Sequence, residues 1–302
     1  VTAVDTASYS EVFAKTWIAL DSRDCDQKAL DDAIEALNST TPAAGYFTKT
    51  FCEDARYFQP ANGERIDAIR DCIERDYRGS WLYEPLLASL ILAADRVDST
   101  TGIQMAYLKQ WSRRSYSPMR LTNPGLLPGS GVAIRGDALA IAPQLPEADL
   151  AYLDPPYNQH RYFANYHIWE TLVRWDAPES YGIANKRKDV RDDDHRSRFN
   201  SKPDMPKAIR ELILSVNCQT MVLSYNNESW LTKDELVEIC GQRGHVEVID
   251  VDFKRYIGSQ IGVFNKAGQR VGNPGAKRNT EHVLIAGERN LVKSIVSGLR
   301  TN

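Results

Sequence analysis

The 302-residue sequence predicts an α/β protein carrying a helical insertion. Short apolar runs of strand length recur at Val1–Val4, Val132–Ile134, Leu150–Leu153 and Thr220–Tyr225, and most stop abruptly at an acid or a polar cluster. Helical patterns separate them, and between about residues 21 and 125 helices dominate. With 42% hydrophobic and 25% charged residues, the chain can bury a sizeable core. The net charge of -3 excludes a global polycation, so any nucleic-acid surface has to be a local patch.

Val1-Thr2-Ala3-Val4-Asp5 reads as a strand ending in a carboxylate, and Tyr9–Leu20 as the following helix. Asp5 or Thr6 could simply cap that helix; an acid at such a strand end also suits ribose hydroxyls. Asp26–Leu37 is amphipathic, with Leu30, Ile34 and Leu37 on one face. Gly45–Asn62 is rich in aromatics, and Asn62-Gly63 reads as a turn before a helix carrying Ile66, Ile69 and Ile73. Pro85 suits an early helical position, and Leu86–Val97 continues as a buried helix.

Gln104–Thr122 holds Lys109, Arg113, Arg114 and Arg120, no acid, and Tyr107, Trp111 and Tyr116 among them. Two readings stand side by side: a phosphate-facing surface, or a solvated helix face with inward aromatics. The Pro/Gly-rich stretch Asn123–Ser130 returns the chain to strand structure, and Val132–Ile134 ends at Gly136-Asp137. Lys186–Arg198 is a dense charge run expected to form a surface loop. Helices are expected at Lys207–Val216 and Leu231–Cys240, and closing antiparallel strands at Val246–Phe253 and His282–Ala286. Lys254–Arg278 contains Lys254, Arg255, Lys266, Arg270, Lys277 and Arg278 without an acid, a second candidate DNA patch.

The five cysteines are scattered with no C-x-x-C pair, which argues against a zinc site or disulfide framework and for reduced thiols in a cytosolic protein. The histidines lack ligand spacing; His160 and His167 read as surface or substrate-side groups, and no metal is expected. No secretory signal is visible, and the most apolar stretch, Trp81–Ala94, is too short to span a bilayer.

The stretch that organises the chain is Asp149–Tyr157. Leu150–Leu153 reads as a buried strand, which Pro155 and Pro156 must end because neither can donate to a ladder. Asp154 and Tyr157 are then presented at a strand's carboxyl end, where open α/β sheets place ligands. Asp154 and the Pro155 carbonyl are both acceptors and could take the two hydrogens of a planar amino group; Tyr157 offers a ring face for a flat base.

Asp154-Pro155-Pro156-Tyr157 resembles the catalytic motif of DNA amino-methyltransferases. Further stretches extend the likeness: Val4–Val12, Tyr57-Phe58, Asn62-Gly63, Ile66–Arg70, Ala93–Val97, Ala164–His167, Phe199–Lys202, Leu223–Glu228 and Arg255–Gly258. Together they resemble the adenine-specific DNA methylases of restriction–modification type across essentially the whole chain. The resemblance implies a Rossmann-like class I methyltransferase fold with S-adenosylmethionine as donor, double-stranded DNA as partner and an adenine flipped out of the duplex. It assigns catalysis to Asp154, Pro155, Pro156 and Tyr157, and donor contacts to Asp5, Asp137 and Asp154. It assigns substrate contacts to Tyr157, Asn158, Tyr166, Lys109, Arg113, Arg114, Lys254 and Arg255. It places the catalytic domain at 1–20 and 126–302, the DNA-recognition insertion at 21–125, and the protein in the cytoplasm, with a cognate restriction endonuclease as a further partner to expect.

One departure stands out. The family's sheet has its first strand at the centre, followed by a Phe-x-Gly-x-Gly turn that cradles the donor, and no such motif precedes Asp5. The first strand is therefore expected to be absent from this sequence, supplied by an upstream segment or another chain. Its loss would part the second and third strands from the fourth, fifth, seventh and sixth. Two other readings follow: a non-catalytic DNA-binding or partner subunit, and a methyltransferase acting on cytosine or RNA.

Overall fold

A computed structural model describes residues 1–192, 196–254, 263–264, 270–272 and 278–300. The chain is α/β, with helices around parallel and mixed sheets. It divides into two compact units, residues 1–137 with 162–195, and residues 138–161 with 196–302.

In the first unit, strand β1, Thr2–Asp5, runs parallel to β2, Val132–Arg135, with Asp5 opposite Arg135. Helix α1, Ser8–Ala14, continues as a π-helical turn over Lys15–Ala19 and packs on both strands. Helix α2, Gln27–Asn38, starts where the Asp26 carboxylate accepts the Ala29 N–H at 3.1 Å, and it buries Leu30, Ala33, Ile34 and Leu37 at helical spacing. Helix α3, Pro60–Cys72, runs through Asn62-Gly63, where the sequence reads as a turn. Both residues are needed inside the helix. The Asn62 amide donates to the Ser115 and Ser117 carbonyls at 3.2 and 3.0 Å and accepts the Met119 N–H at 2.9 Å. A Cβ on Gly63 would stand 2.3 Å from Cys52 Sγ. Helix α4, Tyr83–Asp95, is buried nearly all round, which explains why its sequence shows no polar stripe.

These helices share one core, which includes Leu30, Phe47, Phe51, Phe58, Ile69 and Leu90. Two of its buried charged groups are matched by hydrogen bonds. Asp67, 2% exposed, accepts the N–H groups of Gly45, Phe47 and Thr48 at 2.9, 3.0 and 2.7 Å. Arg70 donates to the carbonyls of Leu172 and Val173 at 2.7 and 3.0 Å, two acceptors that a helix end otherwise leaves unpaired.

The unit's later segment corrects two expectations. The charge run does not begin as a solvated loop: Lys186–Arg187 pairs with Ser180–Tyr181 as a short hairpin, and Arg187 is buried. Its guanidinium meets Asp176 at 2.7 and 2.6 Å and Asp189 at 3.0 and 2.8 Å. Ion pairing on two sides is what lets this arginine enter the interior, a feature local composition does not carry. Gln104–Thr122 holds no regular helix, only a 3-10 turn at Arg113–Tyr116.

In the second unit, β3, Ala148–Leu153, lies parallel to β4, Cys218–Asn226. Antiparallel to β4 comes β6, Arg278–Gly287, and then β5, His245–Lys254, so the order is β3-β4-β6-β5. The expected closing antiparallel pair is thus present. Helices α6, Met205–Ser215, and α7, Lys233–Cys240, cover one face around Leu223, Tyr225 and Leu284. The last helix, α8, Arg289–Arg300, covers part of the other around Val222 and Ile285. Helix α7 starts with a capping box between Thr232 and Glu235. Contrary to the expectation for Leu150–Leu153, β3 is not buried. Among the described residues it has a strand on one side only, and Leu150 and Tyr152 are 54% and 63% exposed. No helix among the described residues is long and apolar enough to cross a membrane.

Candidate functional site

The second unit holds the Asp154–Tyr157 turn. β3 ends at Leu153, opposite Leu223 of β4, and the chain turns through Asp154, buried Pro155 and Pro156 to Tyr157. The parallel register puts Tyr152 beside Val222, so alternation carries Asp154 to the same face as Ser224. Glu281 of β6 stands opposite Asn226 on that face and accepts the Ser224 hydroxyl at 2.6 Å. Four polar groups therefore gather at one end of one sheet face. Crowding by the surrounding protein and, after it, the Glu281 carboxylate raise the Asp154 carboxyl above its ordinary value. Asp154 remains accessible to a ligand.

The Tyr157 ring meets Tyr225 edge-on, with centroids 5.8 Å apart and planes at 68°. The loop after it is pinned by Asn200, whose amide donates to the carbonyls of Asn158 and His160 at 2.7 and 3.1 Å. The Asn158 side chain accepts the His160 N–H at 2.9 Å, so it shapes the loop itself.

The first unit presents a second pair of carboxylates. Asp5 and Asp137 follow neighbouring parallel strands, and the Gly136 N–H donates to the Asp5 carbonyl at 2.8 Å. The two acids therefore stand at adjacent carboxyl ends. Asp5 Oδ1 accepts the Ala7 N–H at 2.8 Å, which fixes the turn into α1. Tyr9 follows, its phenol pushed up by burial and then by Asp5, Tyr166 and Glu170. Its ring lies 5.7 Å from that of Tyr166, which stacks on Tyr162 at 6.3 Å with planes 11° apart.

The residue after Tyr166 begins helix α5, His167–Arg174. Contrary to the expectation of a surface group, His167 is fully buried. Its Nε2 lies 3.1 Å from the Gln104 carbonyl, which also accepts the Tyr57 hydroxyl at 2.9 Å. Its Nδ1 is buried without a partner. Burial drives the imidazole down to about 3, the Gln104 carbonyl opposing this and the nearby Lys186 and Arg187 adding to it.

The basic residues expected to meet DNA differ in their partners, not in exposure, since Arg114 is exposed like Lys109 and Arg113. Arg56 donates to the Lys109 carbonyl at 2.7 Å and lies over Trp111 at 4.8 Å, giving that loop a fixed base. Arg114 is tied inward: its guanidinium pairs with the buried Asp98 carboxylate and donates to the Asp98 carbonyl at 3.0 Å. Of the interleaved aromatics, Tyr107 packs on Tyr57 while Tyr116 is 67% exposed. Lys254 ends β5, and its side chain, like Arg255, lies outside the described residues. Among the described residues no group of three His, Cys, Asp or Glu could hold a metal ion.

Sequence reasoning did not single out Glu281, Gln104, Asp98 or Glu170. Each acts through a partner distant in sequence, and only Glu281 left a local trace, as an acid inside an apolar strand.

The second unit thus holds a strand-end acid and aromatic in a stiff turn, and the first holds stacked aromatics and a pair of strand-end carboxylates. Comparison with known proteins gives the family. The profile for D12 class N6 adenine-specific DNA methyltransferase matches residues 1–239, and the chain belongs to this family. It is 29% identical over 269 residues to the type II methyltransferase M.NlaIII of Neisseria lactamica, an alignment covering 85% of this chain and 77% of that protein. It is 30% identical over 243 residues to the type II methyltransferase M.CviAII of Paramecium bursaria Chlorella virus 1, covering 76% and 68%. The modification methylase StsI of Streptococcus sanguinis is 28% identical over 272 residues, covering 83% of this chain but 41% of that protein. No solved structure matches with comparable significance.

Proposed function

We propose that this chain carries the target-base pocket and nucleoside contacts of an S-adenosylmethionine-dependent enzyme that methylates the exocyclic amino group of adenine in DNA. The observation that carries the reading is the Asp154-to-Tyr157 turn at the end of β3, within a chain of the D12 class. The family match favours an enzyme over a bare binding subunit, and adenine over cytosine. From the type II methyltransferases among its relatives we further propose a type II modification role, with a restriction endonuclease as cognate partner and the cytoplasm as the place of action.

The fold supports the reading unit by unit. We read β2-β1 as the third and second strands of a class I methyltransferase sheet, and β3-β4-β6-β5, with its antiparallel β6, as the fourth, fifth, seventh and sixth. The proposed division of labour assigns catalysis to 1–20 and 126–302 and DNA recognition to 21–125. Lys109 and Arg113 are the phosphate contacts we favour there, with Arg114 shaping the loop that carries them. Lys254 and Arg255 are proposed as further DNA contacts from the sequence.

Asp5 and Asp137 fit the nucleoside half of the donor: adjacent acceptors at parallel strand ends suit ribose hydroxyls and an adenine amino group. The donor supplies an electrophilic methyl group. The duplex hides the amino nitrogen, so the adenine has to leave the stack. Tyr157 offers its ring to the extruded base, while Asn158 and Tyr166 supply polar and aromatic walls. Asp154 and the Pro155 carbonyl accept the two amino hydrogens, turning the nitrogen lone pair out of conjugation with the ring. As the nitrogen–methyl bond forms and the sulfonium carbon–sulfur bond breaks to leave the thioether, the Asp154 carboxylate would stabilise the positive charge growing on the nitrogen, and the surplus amino proton would pass to that carboxylate or to water, so positioning and electrostatics carry the catalysis. Pro155 and Pro156 make the turn stiff, so the acceptors are held in place before substrate arrives.

Replacing Asp154 with Ala is expected to abolish methyl transfer while duplex binding, measured by fluorescence anisotropy, stays within a few-fold. Wild-type turnover by that variant would refute the assignment.

A further inference from the structure

Glu170 is a carboxylate in the interior with no role in the mechanism above. It lies on α5 and is 0% exposed. A buried carboxylate is tolerated only where its oxygens are matched. Here the match is with one residue 162 positions away: Glu170 Oε1 accepts the Ser8 N–H at 2.8 Å, and Oε2 accepts the Ser8 hydroxyl. Arg174, one turn on along α5, adds a pair to Oε2 at 3.3 Å.

Ser8 is not an arbitrary anchor. It lies three residues after Asp5, whose carboxylate is already engaged by the Ala7 N–H. The next residue, Tyr9, puts its ring against Tyr166, four positions before Glu170. The turn that aims Asp5 is thus clamped to the start of α5 at two neighbouring points, one a pair of hydrogen bonds to a carboxylate and one aromatic. Ordinary helix capping needs no such reach, since a local side chain at Ala7 would serve; α1 has no local side-chain cap.

We propose that Glu170 is a positioning residue for the donor site: through Ser8 it sets the Asp5 carboxylate, and it ties that setting to the Tyr162–Tyr166 segment that follows the Asp-Pro-Pro-Tyr turn. This rests on the reading that Asp5 holds the donor's ribose. It also predicts that donor affinity depends on a residue that never touches the donor.

The test is calorimetric binding of S-adenosylmethionine and of S-adenosylhomocysteine to the full chain and to Glu170→Gln, Ser8→Ala and Asp5→Ala. Duplex binding and thermal unfolding are recorded for each. Glu170→Gln is expected to weaken both ligands about tenfold, the equivalent of one charge-assisted hydrogen bond. Ser8→Ala should weaken them about threefold, and Ser8→Thr, which keeps the hydroxyl, should restore most of the loss. Duplex binding should change less than twofold in all three. Donor affinity unchanged in Glu170→Gln and Ser8→Ala, with Asp5→Ala losing it, overturns the proposal and leaves the donor reading intact. Equal loss of donor and DNA binding overturns it too, because that is the mark of a general structural role. Unchanged affinity in Asp5→Ala, or a wild-type chain that takes up neither ligand, refutes the donor reading itself and the proposal with it. If Glu170→Gln does not fold, the Ser8 pair alone decides between these outcomes.

Discussion

Acid should weaken the first unit through His167. The ring is fully buried, its Nε2 is committed to the Gln104 carbonyl, and its Nδ1 faces no acceptor. A second proton would therefore enter a site that offers it nothing, with Lys186 and Arg187 nearby. The imidazole is pushed from 6.5 down to about 3 in the folded state. The unfolded chain takes up a proton as the pH falls through 6.5, while the folded chain does not until near 3, so acid favours unfolding across that window. Stability from this group is intact above 6.5 and lost progressively below it. Each pH unit within the window costs about 1.4 kcal/mol, so by pH ~5 the loss is about 2 kcal/mol. Urea unfolding followed by tryptophan fluorescence reads this directly, because Trp17, Trp81, Trp111, Trp169 and Trp175 lie in the same unit as His167. His167→Gln keeps an N–H for the Gln104 carbonyl and removes the titration. Between pH ~7.5 and ~5 the wild type should lose about 2 kcal/mol more than this variant. Equal losses in the two proteins would refute the reasoning.

Two further predictions concern charges that only the fold brings together. Arg187→Met leaves Asp176 and Asp189 without their shared partner and should cost about 3 kcal/mol, the low end for breaking a buried pair because both acids are partly exposed. For a unit of this size, that lowers the thermal midpoint by roughly 6–12 °C in calorimetry; a drop under about 2 °C would contradict it. Glu281→Gln removes one of the two causes that hold the Asp154 carboxyl high. The ionised form of Asp154 is the one that accepts amino hydrogens, so activity fades as the pH falls through its value. The variant's acidic limb should therefore move to lower pH in single-turnover assays, and a limb that stays put or moves up would rule this coupling out.

What could be read from the sequence was what neighbouring residues decide. The strand-ending Asp154-Pro155-Pro156 turn, the amphipathic α2 and the closing β5–β6 pair follow from proline chemistry and from helical or alternating periodicity. Asp5 and Asp137 were legible as strand-end acids, although only the parallel pairing of β1 with β2 sets them side by side. What escaped was decided at long range. His167 and Arg187 look like surface residues until Gln104, Asp176 and Asp189 are placed around them. Asn62-Gly63 carries the letters of a turn, yet a loop more than fifty residues later needs the Asn62 amide, and Cys52 leaves no room for a Cβ at Gly63. Leu150 and Tyr152 have the composition of a buried strand, and their exposure depends on what flanks β3, which no local pattern encodes.

The central claim is that Asp154 and its neighbours receive an adenine amino group for methylation. It is tested most directly by incubating the full chain with methyl-labelled S-adenosylmethionine and duplex DNA, then identifying the labelled nucleoside by mass spectrometry after digestion. The account predicts label on the N6 amino group of deoxyadenosine with the wild type and none with Asp154→Ala. Label on cytosine, or equal labelling by the two proteins, would contradict it.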